Sequence, residues 1–156
     1  MVTRRLFGGC IRAIIKKRVR SAKVSVERDN MINSLRKNVI PTLRDRGFKG
    51  SFPHFHRKLE NRVDLLMFQF SAWGGVLYVE VSKCSSEGHI DVSETFYTPN
   101  KVKVYNIDTA HRQRLGKEIG EMFEFNKDNT EVISLNVRES LKEGEEWWNS
   151  SANWWG

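Results

Sequence analysis

His54 and His56 are the first residues in this chain whose type and spacing suggest chemistry. On a strand, residues two apart share a face, so both imidazoles would point the same way. A catalytic zinc site takes three protein ligands, and the available thirds are His89, His111 and Glu80. Without a third, the pair sits on an edge strand, facing water or packing beside a helix. His54 and His56 are therefore only weak metal candidates, and no cofactor is expected.

Arg112 and Arg114 would also share a face on a strand. Two guanidinium forks side by side suit a phosphate or a carboxylate. Together with His111 they form the candidate anion site. Cys84 beside a histidine could make a nucleophile pair; as a small buried thiol it would simply be apolar. Four of the five tryptophans lie in residues 147–156, and tryptophan often anchors interfaces. Trp147 and Trp148 fit packing against the fold, whereas Trp154 and Trp155 are candidates for partner binding.

The familiar catalytic signatures are missing. Gly116-Lys117 is followed by Glu118, where a phosphate-binding loop needs Ser or Thr. There is no His-Glu-x-x-His, Cys-x-x-Cys or Gly-x-Ser-x-Gly sequence. This favours a non-enzymatic binding module over an enzyme acting on an anionic substrate.

The elements that must position these residues occupy one domain-sized chain of 156 residues. The net charge of +7 is unevenly placed. Residues 1–30 hold nine Lys/Arg and two acids, whereas residues 31–156 hold 17 of each sign. Within the latter, residues 31–117 carry 14 basic and 8 acidic groups, and residues 118–156 carry 3 and 9. The two halves are expected to face each other or water. The first thirty residues read as a basic extension, either flexible and dispensable, a targeting segment, or an arm for nucleic acid or anionic lipid. No run of eighteen apolar residues is present, so no transmembrane helix is expected. Two cysteines, Cys10 and Cys84, do not make a disulfide framework, which points to a reduced, cytoplasmic protein.

Residues 31–46 read as a helix, with Ile32, Leu35, Val39 and Leu43 at helical spacing. Asn30 could cap it, though the helix could begin nearer Ser25. Pro41 should kink or break it, and Gly47 should stop it, with Phe48 folding back. Residues 51–59 read as an edge strand or a late-starting one because Pro53 cannot donate to a ladder. Residues 62–83 read as a hairpin around Trp73-Gly74-Gly75. Weaker strands are expected at 89–96 and 102–105. Residues 110–125 fit a helix through Leu115, Ile119, Met122 and Phe123, weakened by Gly116 and Gly120. Residues 130–148 fit a final helix with a stripe of Val132, Leu135, Leu141 and Trp148. The order predicts an α+β fold: an antiparallel sheet of four to five strands, with an N-terminal and a C-terminal helix packed on it. The expected organisation is an extension (1–30), a domain (31–148) and a Trp-containing tail (149–156).

Pro41, Leu43, Gly47 and Phe48 form a Pro-x-Leu-x-x-x-Gly-Phe helix end. Phe55-His56-Arg57, Phe68-Gln69 with Trp73, Arg112-Gln113-Arg114-Leu115-Gly116 and the Trp147-Trp148 end follow in order. On these residues, from 31 to about 148, the chain resembles a bacterial family termed domain of unknown function 4304. The resemblance implies an intracellular α+β domain and carries no activity with it. The leading expectation is thus a protein-binding module of immunity or adaptor type. The alternatives are nucleic-acid binding through residues 1–30 and an enzyme on an anionic substrate.

Overall fold

The computed structural model describes residue 23 and residues 25–151. Helix α1 covers residues 25–38, and a turn at Val39 leads into α2 (Ile40–Asp45). Asn30 therefore lies inside α1 rather than capping it, in line with the earlier start near Ser25. Met31, Leu35, Val39 and Leu43 are completely buried along one face. Pro41 separates the two helices because it has no N–H to offer the preceding turn. The helical path continues across the break through Val39 N–H to Leu35 O (2.9 Å) and Leu43 N–H to Val39 O (3.0 Å). Gly47 takes the left-handed conformation (φ +89°). Its N–H donates to Arg44 O and that of Phe48 to Leu43 O, the double closure that ends a helix at glycine.

The sheet is antiparallel. Its main path runs β1 (Lys49–Ser51), β2 (His54–Lys58), β3 (Arg62–Phe70), β4 (Val76–Ser85) and β7 (Gln113–Arg114), and β8 (Phe123–Glu124) also pairs with β4. The long β3–β4 hairpin is the one expected around Trp73-Gly74-Gly75, and both glycines there have positive φ. Of the two readings for residues 51–59, the late start holds: the strand is β2, which begins at His54, just after Pro53. Phe52-Pro53, joined by a cis peptide bond, turns the chain between β1 and β2, so β2 lies inside the sheet and β1 is the edge.

The sheet has two covered faces. On one, α1, α2 and α3 (Thr130–Asn149) pack over Phe55, Leu66, Phe68, Leu77, Val79 and Val81. On the other, Val102, Val104 and Ile107 lie over Val63, Leu65 and Met67. Burial on both faces makes β3 a nearly continuous apolar run rather than an alternating one.

Several weaker expectations are corrected. Residues 89–96 contribute only β5 (His89–Ile90), which pairs with β6 (Phe96–Tyr97) in a separate ribbon. Val104–Asn106 is a 3-10 turn, not a strand, and Asn106 closes it by accepting from Lys103 N–H (2.8 Å). Residues 110–125 form no α-helix, because Gly116 and Gly120 are both left-handed (φ +91° and +75°). Helix α3 forms as expected and buries Leu141 and Trp148 of the expected stripe, but the rest of its contact face differs. Val132 is 59% exposed, and contact runs through Ser134, Val137, Ser140, Leu141, Gly144 and Trp148. A Cβ on Gly144 would meet the Trp148 ring at 3.2 Å, so the small residue sets how closely ring and helix approach.

Candidate anion-binding groove

Alternation along β2 sends its charges to opposite faces of the sheet. Arg57 pairs in register with Asp64 and Asp64 with Lys83, forming a charged row beneath the end of α3. Asp64 is fully buried. It accepts from Arg57 Nη2 (2.7 Å) and Nε (3.0 Å) and from Arg62 Nε (2.7 Å). Arg57 also donates to both carboxylate oxygens of Glu145 on α3. Its guanidinium lies 4.6 Å over the Phe48 ring. Burial opposes the Arg57 charge, but the hydrogen bonds to Glu145 and Asp64 outweigh it and raise the pKa. Lys83, 2% exposed, donates to the carbonyls of Trp148 and Ser150, each at 3.0 Å. Cations there complement the negative end of the α3 dipole. Burial, then repulsion from Arg62, lowers the Lys83 pKa. Together with Lys37–Glu131 and Arg46–Glu145, these pairs join the basic and acidic halves of the sequence within one chain.

The other face of β2 carries His54, His56 and Lys58, with Lys49 of β1 in register with His56. Residues 99–103 run alongside. Two adjoining cavities lie between, of about 500 and 400 Å³. The first is lined by Lys49, His56 and Lys58, the second by His54, Lys101 and Lys103, and His56 and Asn100 border both. No Asp or Glu is among the described residues lining either. None of these four lysines forms an ion pair among the described residues. Arg44, whose charge acts on His56, is otherwise engaged: it donates to the carbonyls of Phe48 and Gly50, covering the free edge of β1.

Both histidines are held below their usual pKa. For His54 the causes are burial and then Lys103; for His56 they are burial, Lys49 and Arg44. His54 stands edge-on to Tyr105, with ring centroids 5.4 Å apart, and its Nδ1 is buried without a hydrogen-bond partner. The two imidazoles share a face, as their spacing indicates, yet among the described residues no group of three His, Cys, Asp or Glu could hold a metal ion.

The other expected site residues are placed as follows. Arg112 donates through Nε to Ile107 O (2.8 Å) and through Nη2 to Tyr105 O (2.9 Å), and its Nη1 lies 3.8 Å from Glu80. Arg114, in register with Glu80, stacks 4.1 Å over Tyr78. The backbone carbonyl of His111 accepts from Ser82 Oγ (2.8 Å). The structure thus brings the two arginines to one sheet edge, with Arg112 engaged by carbonyls and a carboxylate. Cys84 is buried, and burial followed by Asp64 pushes its pKa up to about 12, which keeps the thiol protonated and unsuited to nucleophilic work. Trp148 is buried and donates to Ser82 O (2.9 Å), while Trp147 packs against the core. Trp154, Trp155, Cys10 and most of the basic extension lie outside the described residues.

Sequence reasoning missed Lys49, Lys58, Lys101 and Lys103. Continuing the His54–His56 alternation by one step would have found Lys58, and the surplus of basic residues in 31–117 was a further sign. Lysines 101 and 103 reach the groove only through the path of the loop.

An antiparallel sheet with helices on one face and a lysine-lined groove on the other defines a small α+β domain. The chain belongs to the family described as domain of unknown function (DUF4304), whose model matches residues 39–151. That span begins just before α2 and ends just beyond α3. No curated protein and no solved structure matches the chain. No helix among the described residues is long and apolar enough to cross a membrane.

Proposed function

We propose that this domain is a non-enzymatic binding module that holds an acidic segment of a partner protein in the groove between β2 and residues 99–103. One observation carries the reading: four lysines that form no ion pair among the described residues line, from three segments, a concave surface whose described lining has no carboxylate. Opposite charge steers such a partner to the site and sets its register. An unbridged, buried Cys84 is compatible with a reducing, cytoplasmic setting.

The test is affinity capture from the native host with the full chain and with a Lys49→Glu/Lys101→Glu variant, each with and without nuclease. The reading expects a protein retained by the unaltered chain, lost by the variant and unaffected by nuclease. Equal capture by both baits would reject the groove. Capture abolished by nuclease would favour the alternative, nucleic-acid binding through residues 1–30.

A further inference from the structure

We propose that the groove is a two-part phosphoryl site, one phosphoryl group per cavity, so that the acidic segment it holds is doubly phosphorylated. This deepens the binding-module reading and rests on it. The first part is Lys49, His56 and Lys58, and the second is His54, Lys101 and Lys103; the shared border at His56 and Asn100 places the two parts side by side.

Three observations favour phosphoryl over carboxylate. The first is charge. Four lysines line the two cavities, Lys103 with its ammonium 5.7 Å from the Tyr105 ring, and no carboxylate is in the described lining. Two phosphoryl groups, each about −1.5 to −2 at neutral pH, nearly balance them, whereas two carboxylates leave about half the charge unmet. The second is donor type. An ammonium is a compact point charge with three donors and suits a phosphoryl oxygen cluster, while planar carboxylates are best met by a guanidinium fork. The neighbouring guanidinium forks are directed elsewhere, Arg44 to backbone carbonyls and Arg57, on the opposite face of the sheet, to Asp64 and Glu145. The third is arrangement. Lys49, His56 and Lys58 project from paired strands, which fixes their spacing before any ligand arrives.

The test uses the full chain and three labelled peptides of one sequence, carrying two phosphoserines, two glutamates or two serines, read by fluorescence anisotropy. The phosphoserines are placed adjacent or separated by one or two residues to cover the spacing of the cavities. Residues 1–30 attract any anion, so each titration is repeated with Lys58→Ala and Lys103→Ala, exposed or half-exposed lysines outside the core. The proposal expects the best phosphopeptide to bind about tenfold tighter than its glutamate counterpart, and each variant to remove most of that advantage. Inorganic pyrophosphate should compete against the unaltered chain and fail to compete against the variants. Equal, groove-dependent binding of the glutamate and phosphoserine peptides would overturn the phosphoryl assignment while leaving the acidic-segment reading standing. Binding of both peptides unchanged by either variant would overturn the two together.

Discussion

Arg57 and Lys58, neighbours in β2, carry positive charge to opposite faces of the sheet. Arg57 points to the helix face, where Asp64 and Glu145 engage every nitrogen of its guanidinium. Lys58 points to the loop face beside His56, where Lys49, Lys101 and Lys103 add like charge and no carboxylate is among the described residues lining the groove. On the first face, charge is buried and paired and holds the end of α3 to the sheet. On the second it stays solvated and unpaired, an arrangement that adds nothing to stability and makes sense for a ligand. A buried cation needs its partner; an exposed one at the rim of a cavity is free to find one.

The comparison can be broken most forcefully at Asp64. Asp64→Asn leaves Arg57 and Arg62 without their shared carboxylate in a buried setting, and urea denaturation should show a loss of about 3–5 kcal/mol. A loss under about 1 kcal/mol would mean that the helix-face row is not what holds α3. Next comes Lys83→Met, which keeps the apolar stem but strands the carbonyls of Trp148 and Ser150. It should cost about 1–3 kcal/mol and loosen the last turn of α3, visible as faster amide exchange there. On the loop face, Lys49→Ala and Lys101→Ala should each change stability by less than about 0.5 kcal/mol. Their effect should appear instead in anion affinity and in a shallower dependence of that affinity on salt.

The smallest effect sharpens the loop face alone. His54 and His56 titrate below the ordinary 6.5, so the folded protein favours their neutral forms. Lys103 and Tyr105 face His54; Lys49 and Arg44 face His56, with Lys58 and Lys101 at the same groove. The unfolded chain binds these two protons more readily. Their contribution to stability is therefore intact above pH 6.5 and declines as pH falls through 6.5 toward the lower folded values. Affinity for a glutamate peptide, which keeps its charge over this range, should move the other way and rise as both rings gain charge, whereas a phosphoryl ligand itself takes up a proton at about pH 6. His54→Gln/His56→Gln should flatten both trends, and a rise in affinity that survives the substitutions would place its source elsewhere.

How much of this was legible in the sequence follows from how local each feature is. The α2 stop needed only Gly47, Phe48 and the preceding turn, and the β3–β4 hairpin only two apolar runs joined by two glycines. The contact face of α3 was misjudged because Ser134, Ser140 and Gly144 bury through smallness rather than apolarity, and that depends on Trp148 and Leu115 lying alongside. Residues 110–125 have helical spacing in their apolar side chains, but two left-handed glycines decide the backbone. The groove was half visible. His54 and His56 share a face on any strand, whereas the approach of Lys101 and Lys103 depends on Val102, Val104 and Ile107 packing onto β3, a contact that no local pattern reports.

The most direct test takes two variants through the same pair of measurements, the urea midpoint and the affinity for a labelled peptide bearing two phosphoserines among glutamates. The variants are Arg57→Ala and Lys49→Ala/Lys58→Ala, adjacent in the sheet but acting on opposite faces. The account predicts that Arg57→Ala lowers the midpoint sharply, while the double lysine variant keeps the midpoint and loses most of the binding. A double lysine variant that unfolds early, or that binds as the unaltered chain does, would contradict the division of the sheet into a face that holds the fold and a face that holds a ligand.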